Sequence, residues 1–511
     1  MYKDCFMLLR KISALFVSAL FFVNALFVSC KTEDSTPFTG LKISADSSGD
    51  AGGTVNITAV YYKEDAADSS STVEYAVSDS TGGAYFGTKG TVSTTGKSGS
   101  AVTLTLGPSS NASVKVTATC NGSSAEKTIY TKSAVSVNDK PTGYAGIGFT
   151  SFYDASKVKT VSTKSELVDY AKQGGYTIFV DGMIDMSEGM LPTTGGSSTE
   201  VLDAFVKAKS EYSTYAEYNE ALIKSVSASE DWTNPLNSSY GSVIRLTVAS
   251  NTAIIGKSAG SGIKGGSIYI NGKSNVIIRN LTVQDGYDPF PNHEAGDGWN
   301  AQQDTVAIRN SKNVWIDHCT LEDTLHLVTG ANGEKWQTYD GLCDITNTSS
   351  YVTVSNCILR NHDKTMLIGS GSSDVSGGFI TIDHNRFINC GQRLPMTCYK
   401  NMHIYNNSYE RDSSAYYNQQ ASIAARYSAY TIIAENNYFG TGVTECITAS
   451  TKASGKCYQS GNVFKSGSCA LSTQSTKPFT IDYNYSLDDA SEIPTLLAAS
   501  AGAGVVTISA N

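Results

Sequence analysis

The sequence predicts an all-β protein, and three observations carry that reading. Gly, Ser, Thr, Asn and Tyr are abundant, with 46 Gly and 29 Tyr in 511 residues, as turn-rich β-proteins require. Short β-branched runs between turn residues are common, whereas long amphipathic helical patterns are scarce. Beyond residue 270 one segment recurs in self-similar form. A chain of this length exceeds one ordinary compact core, so two domains or a repeat architecture is expected.

The repeats occupy residues 275–283, 313–321, 351–359, 379–387, 401–409 and 431–439, with a weaker copy at 461–464. Each has alternating apolar residues, a polar turn, and a turn position two residues before another apolar one. That position is Leu281, Cys319, Cys357, Asn385, Asn407, Asn437 and Asn462. Successive positions lie between 22 residues (385 to 407) and 38 residues (281 to 319) apart. Period-two alternation at such spacing suits a β-solenoid, one strand set per coil, with matching residues piled in columns. Four successive Asn in one column predict a ladder of side-chain amides. The irregular intervals exclude leucine-rich and propeller repeats and require insertions to leave the coils as loops. Residues 163–176 and 200–225 read as helical, the first placed to cap the open end of the solenoid.

Ahead of the solenoid, residues 40–133 carry short alternating segments at 55–60, 73–77, 101–106 and 114–119, separated by Ser, Gly and Asp. The pattern is that of an immunoglobulin-like β-sandwich without its paired cysteines. A spacer role is favoured over a carbohydrate-binding module. A linker over 134–142 follows, and the solenoid domain takes 143–511. At the start, Lys3, Arg10 and Lys11 precede an uncharged stretch from Ile12 to Ser29 and then Cys30. This reads as an export signal over 1–30, cleaved before Cys30, with lipid attachment at Cys30 and a tether over 31–39. The protein is then extracytoplasmic, either secreted or a cell-envelope lipoprotein, touching membrane only through that anchor. Setting aside Cys5 and Cys30, nine of the 11 cysteines remain, with no CxxC spacing. Export permits disulfides, and Cys446 with Cys457 could close a short loop. A net charge of −9 leaves no nucleic-acid footprint. A monomer is expected.

From about Gly143 onward the chain resembles the pectate lyases of polysaccharide lyase family 1. The residues that carry the resemblance are Val314-Trp315-Ile316-Asp317-His318, Asp340 to Asp344, Asn361 to Lys364, and Arg393-Leu394-Pro395 followed by His403 to Asn407. The resemblance implies a right-handed parallel β-helix that cleaves polygalacturonate by elimination. The signature around Trp315 and His318 reads as structural, since these residues alternate with buried positions.

The charged residues fall in register. Asp304 lies 15 residues before Cys319, Asp340 and Asp344 lie 17 and 13 before Cys357, and Arg393 lies 14 before Asn407. Four charges therefore share one place on nearby coils, with one coil between the acids and Arg393. At about 4.8 Å per coil, roughly 10 Å separates the arginine from the second acidic coil. Clustered carboxylates repel one another unless a cation joins them, and oxygen donors without His or Cys select calcium. By resemblance Asp304, Asp340 and Asp344 are the Ca2+ ligands, Arg393 is the catalytic base and a substrate ligand, and Lys364 binds a substrate carboxylate. An arginine base implies activity best at alkaline pH. On a straight strand residues four apart are about 13 Å apart, so Asp340 and Asp344 share an ion only if the chain bends. Gln302 offers at most a neutral oxygen, and the acidic stretch 285–297 is either a second calcium site or a solvated loop. The family usually has a second arginine where this chain has Cys398, which weakens the grip on a uronate unless Lys400 or Arg426 substitutes. The alternatives are a pectin lyase acting on methylated substrate, a hydrolase on the same fold, and a non-catalytic glycan-binding surface protein.

Overall fold

The computed structural model describes residues 37–509 except 47, 81–82, 109–112, 326–327, 330–334 and 451–452. The export signal, Cys30 and most of the tether lie outside the described residues. Among those described, 28 strands form three long parallel sheets of ten, nine and nine strands. Every pairing in these sheets joins a strand to its counterpart one coil on, which makes the chain from Val158 to Cys469 a parallel β-helix. The first sheet runs from Val158–Val161 to Ser454–Ser460, and the third from Arg245–Thr247 to Ser468–Cys469. Their inward residues, such as Ile254, Ile278, Ile316, Val354, Ile382 and Ile404, form one continuous core. Burying both faces of a parallel sheet is what permits these near-continuous apolar runs.

The turn column holds the coils in register. The Asn385 amide donates to Asn407 Oδ1 (3.0 Å), Asn407 to Asn437 (2.9 Å), and Asn437 to Asn462 (3.0 Å). The predicted ladder is therefore present, and it continues upward because Cys357 N donates to Asn385 Oδ1. Just before each turn position the backbone is left-handed, at Asn280, His318, Asn356, His384, Asn406 and Asn436, with Gly461 in the last coil. Asn and His tolerate that region better than other non-glycine residues. His318 sits in such a corner, its Nδ1 2.8 Å from Asp317, while Trp315 Nε1 donates to Ser355. The signature residues are thus built into the wall of the helix. Phe387, Tyr409, Phe439 and Phe464 stack beyond the turn, with centroids 4.5–5.1 Å apart.

Helix Lys164–Gln173 caps the first coil through Leu167 and Ala171, as its sequence predicts. The region 200–225 contains Glu200–Lys209 and Tyr215–Ser225, and a third helix, Asn237–Ile244, was not foreseen. Ahead of the β-helix, residues 40–131 form two mainly antiparallel sheets, with one parallel pair at Ser48–Gly49, around Ile57, Val73, Tyr75, Leu104, Val116 and Ile129. The first residues of the stretch read as a linker, 134–136, lie within strand Ser133–Ser136, which pairs in parallel with Val506–Ser509. The disulfide considered between Cys446 and Cys457 does not form; both thiols are free and buried. They lie on strands of the third and the first sheet, within the same core.

The C-terminal segment is clamped onto the turn column. His384 Nδ1 meets Asp383 (2.8 Å) and Nε2 meets Asp488 (3.0 Å), while Asn406 and Asn436 donate to the Asp488 carbonyl. Burial opposes charge on His384, but the bonds to Asp383 and Asp488 outweigh it and raise its pKa from 6.5 to about 9. A raised histidine pKa stabilises the fold fully below pH 6.5, and the contribution is lost as pH rises through about 9. A shift of this size corresponds to about 3 kcal/mol. Denaturant stability should therefore fall between these pH values in the wild type, and His384→Gln should flatten that part of the profile. An equal slope in both proteins would assign the loss to other groups.

Candidate active site

A polar cleft of about 540 Å³ lies where the third-sheet strands begin. Asp340, Lys364, Gln392 and Arg393 line it from successive coils, together with Gln302 and Glu294 from the preceding segment. Bridges from Gly341 to Lys364 and from Lys364 to Gln392 bring these coils into line.

Strand Val306–Arg309 pairs with Cys343–Thr346, so the coils of Asp304 and Asp344 are adjacent. The next strand, Leu367–Ile368, precedes Met396–Thr397, which follows Arg393. One coil thus separates the second acidic coil from the arginine. Asp304 and Asp344 are only 4% and 6% exposed. Asp304 Oδ1 accepts from Gly341 N (3.1 Å) and its Oδ2 from Arg309 Nη2 (3.0 Å). Asp340 Oδ1 accepts from Lys364 Nζ (2.8 Å), and Asp344 Oδ1 from Leu367 N (2.9 Å).

The acids feel one another. Burial, and then the charge of Asp340, push Asp304 up to about 6, while Arg309 pulls the other way. Burial and the Asp304 charge hold Asp344 well above the usual carboxylate range, against the attraction of Arg393. Each acid therefore has a basic neighbour: Arg309, Lys364 or Arg393. Among the described residues no three His, Cys, Asp or Glu side chains are gathered into a finished metal cage. The donor chemistry nonetheless fits a hard divalent cation, since three carboxylates on adjacent coils accumulate charge in a buried place.

The chain bends between Asp340 and Asp344, at Gly341-Leu342. The strand begins only at Cys343, and any Cβ at position 341 would collide with the Asp344 carboxyl. Gly341→Ala should therefore displace that carboxylate and weaken calcium binding by tenfold or more, on the order of a lost supporting contact. Calcium titration checks this; an unchanged affinity would exclude Asp344 from the ion's ligands.

Arg393 has φ +62°, a conformation costly for a residue with a Cβ, and its Nε is buried without an acceptor. Sequence reasoning missed two supports of this site. His362 bridges Asp323 Oδ2 (2.7 Å) and the Asp340 carbonyl (2.8 Å), fixing the segment that carries Lys364. Arg309, five residues after Asp304 and at the end of strand Val306–Arg309, reaches back to it. The acidic stretch divides in two: Asp285 and Asp288 are buried, whereas Glu294 and Asp297 are exposed and line the cleft. Asp285 accepts from Thr324 and Tyr339, and Asp288 from Asn237, Phe290 N and Gln302 N. Cys398 is buried, its Sγ against the Asp374 carbonyl. Lys400 opens a strand of the first sheet, whereas Arg426 follows Ala425, which pairs with Thr397 in the third. Of the two, only Arg426 continues the site-bearing sheet.

The fold and cleft define a parallel β-helix protein with a charged groove along one sheet. Residues 193–506 match the family model described as pectate lyase. The chain is 30% identical over 377 residues to a pectate lyase of Bacillus subtilis, covering 68% of this chain and 88% of that protein. It is 39% identical over 203 residues to pectate lyase E of Dickeya chrysanthemi, covering 38% of this chain and 50% of that one. The chain spans about half the length of the first such relatives. A solved pectate lyase bound to a hexasaccharide superposes with a TM-score of 0.59 at 25% identity, covering 72% of this chain and 98% of that one. The chain belongs to the pectate lyase family.

Proposed function

We propose that this chain is a calcium-dependent, endo-acting pectate lyase. It cleaves (1→4)-α-D-galacturonan by β-elimination and leaves 4,5-unsaturated oligogalacturonides. The observation that carries the reading is the alignment along one sheet of three acids on two adjacent coils with Arg393 two coils beyond the second. The hexasaccharide held by a protein of the same fold supports a long sugar chain as ligand. Export through the N-terminal segment, with Cys30 as lipid attachment, would bring the enzyme to its polymer.

Asp304, Asp340 and Asp344 would hold the calcium ion. When bound it withdraws charge from a uronate carboxylate and so acidifies the neighbouring C5 proton. Arg393 removes that proton. The electron pair forms the C4–C5 double bond, the C4–O bond breaks, and the leaving oxygen takes up a proton. Lys364 turns from Asp340 to a uronate carboxylate and fixes the sugar as a point charge. Product masses test the reaction class. Elimination yields fragments whose new non-reducing end is lighter by one water than a hydrolytic product. Saturated products would instead indicate a hydrolase, and preference for methylated polymer a pectin lyase.

A further inference from the structure

The outer face of the site-bearing sheet continues from the acidic coils toward the N-terminal end of the β-helix. There two arginines flank one tyrosine. Tyr269 pairs with Ala307, which pairs with Asp344, so it stands two coils, roughly 10 Å, from that acid. The Arg245 guanidinium lies 4.7 Å from the Tyr269 ring centroid and that of Arg309 lies 5.9 Å from it. Arg245 precedes the ring by one coil and Arg309 follows it by one, each offset along its strand.

The donors at this place outnumber their acceptors. Arg245 Nη2 donates to Gln303 Oε1 (3.2 Å), and Gln303 is itself held by Asn237. Arg309 Nη2 donates to Asp304, and the Nε atoms of both arginines are buried without an acceptor. The aromatic ring eases the repulsion between the two cations, as a π-face does. Among the described residues Asp304 is the one carboxylate in ion-pair contact with them, while Asp344 acts on Arg309 at longer range. The Arg309 side chain is 38% exposed, so the surplus charge faces solvent along the line of the groove.

We propose that Arg245, Tyr269 and Arg309 form a distal subsite for the carboxylate of a uronate in the bound chain. The proposal rests on polygalacturonate being the ligand. The subsite lies two coils before Asp344 and Arg393 lies two coils after it, so a chain touching both spans about four coils, roughly 20 Å. Only longer oligomers reach it. A guanidinium suits this task because its planar fork matches a carboxylate.

Arg245→Gln tests the subsite without touching the acids. Wild type and variant are compared in kcat/KM on short and long oligogalacturonates, and in equilibrium binding of the same oligomers. The ratio of long-chain to short-chain kcat/KM should fall roughly tenfold, and long-chain affinity by a similar factor. Equal ratios and equal affinities in the two proteins would overturn the proposal. If wild type turns over no oligomer, the lyase reading fails and binding alone decides. Weaker long-chain binding by the variant then upholds the subsite, and equal binding rejects it. Tyr269→Leu serves as the second variant should Arg245→Gln not fold, with the same two outcomes.

Discussion

Arg393→Ala should lower turnover of polygalacturonate by roughly a thousandfold, within the range expected for losing a positioned general base. The size of the effect follows from how little else Arg393 does. It lines the cleft, and among the described residues its side chain makes no hydrogen bond that would anchor the fold. Truncation should therefore leave the β-helix intact, as near-unchanged thermal unfolding would show. Alanine at φ +62° still carries the left-handed penalty, so no stability is gained from relieved backbone strain. Arg393→Lys keeps a cation beside Asp344 but changes the reach and geometry of the donor, and should recover part of the loss. Steady-state kcat for the two variants separates base from charge. Retained turnover in the alanine variant would remove Arg393 from the chemistry.

The second large effect runs in opposite directions for function and stability. Asp344→Asn removes a buried negative charge that sits beside Asp304 and Asp340. An amide of the same shape can still accept from Leu367 N, so packing is kept. Without calcium the variant should unfold at a higher temperature than wild type, because a destabilising cluster of like charge has been thinned. An acid whose pKa is raised on folding costs the fold nothing below its unfolded pKa, and the cost builds as pH rises from there up to the folded pKa. The difference between variant and wild type should accordingly grow from acid toward neutral pH. Added calcium should then raise the wild-type unfolding temperature and scarcely move the variant's, and turnover should be lost. Differential scanning calorimetry with and without calcium reads both signs at once. An equal calcium-induced shift in the two proteins would take Asp344 out of the ion site.

The coils were legible because each repeats its apolar alternation and its turn position, and the amide ladder follows from Asn385, Asn407, Asn437 and Asn462 lying in one column. The placement of Asp304, Asp340, Asp344 and Arg393 was legible for the same reason, since distance from the turn position fixes place on a coil. Side-chain pairing was not. Arg309 reaches Asp304 along the coil, and His362 reaches the preceding coil to meet Asp323; neither follows from the position of a residue in its own repeat. The bend at Gly341 was posed by the spacing of two acids, but its location depended on which residue the Asp344 carboxyl covers. Cys398 could be recognised as a departure, while its burial depends on the path of the preceding coil's backbone, whose carbonyls at Ile368, Gly371 and Asp374 meet its Sγ. Helix Asn237–Ile244, rich in Ser and Asn with a central Gly, has weak intrinsic helical preference and is held by burial of Tyr240 and Ile244.

The central claim is that calcium and the acid–arginine groove together perform an elimination. Ultraviolet absorbance of unsaturated uronide, followed during incubation with polygalacturonate, tests it most directly. Absorbance should rise with calcium present, stop on addition of chelator, and resume when calcium is restored in excess. No absorbance at any pH, or an undiminished rise in chelator, would contradict it.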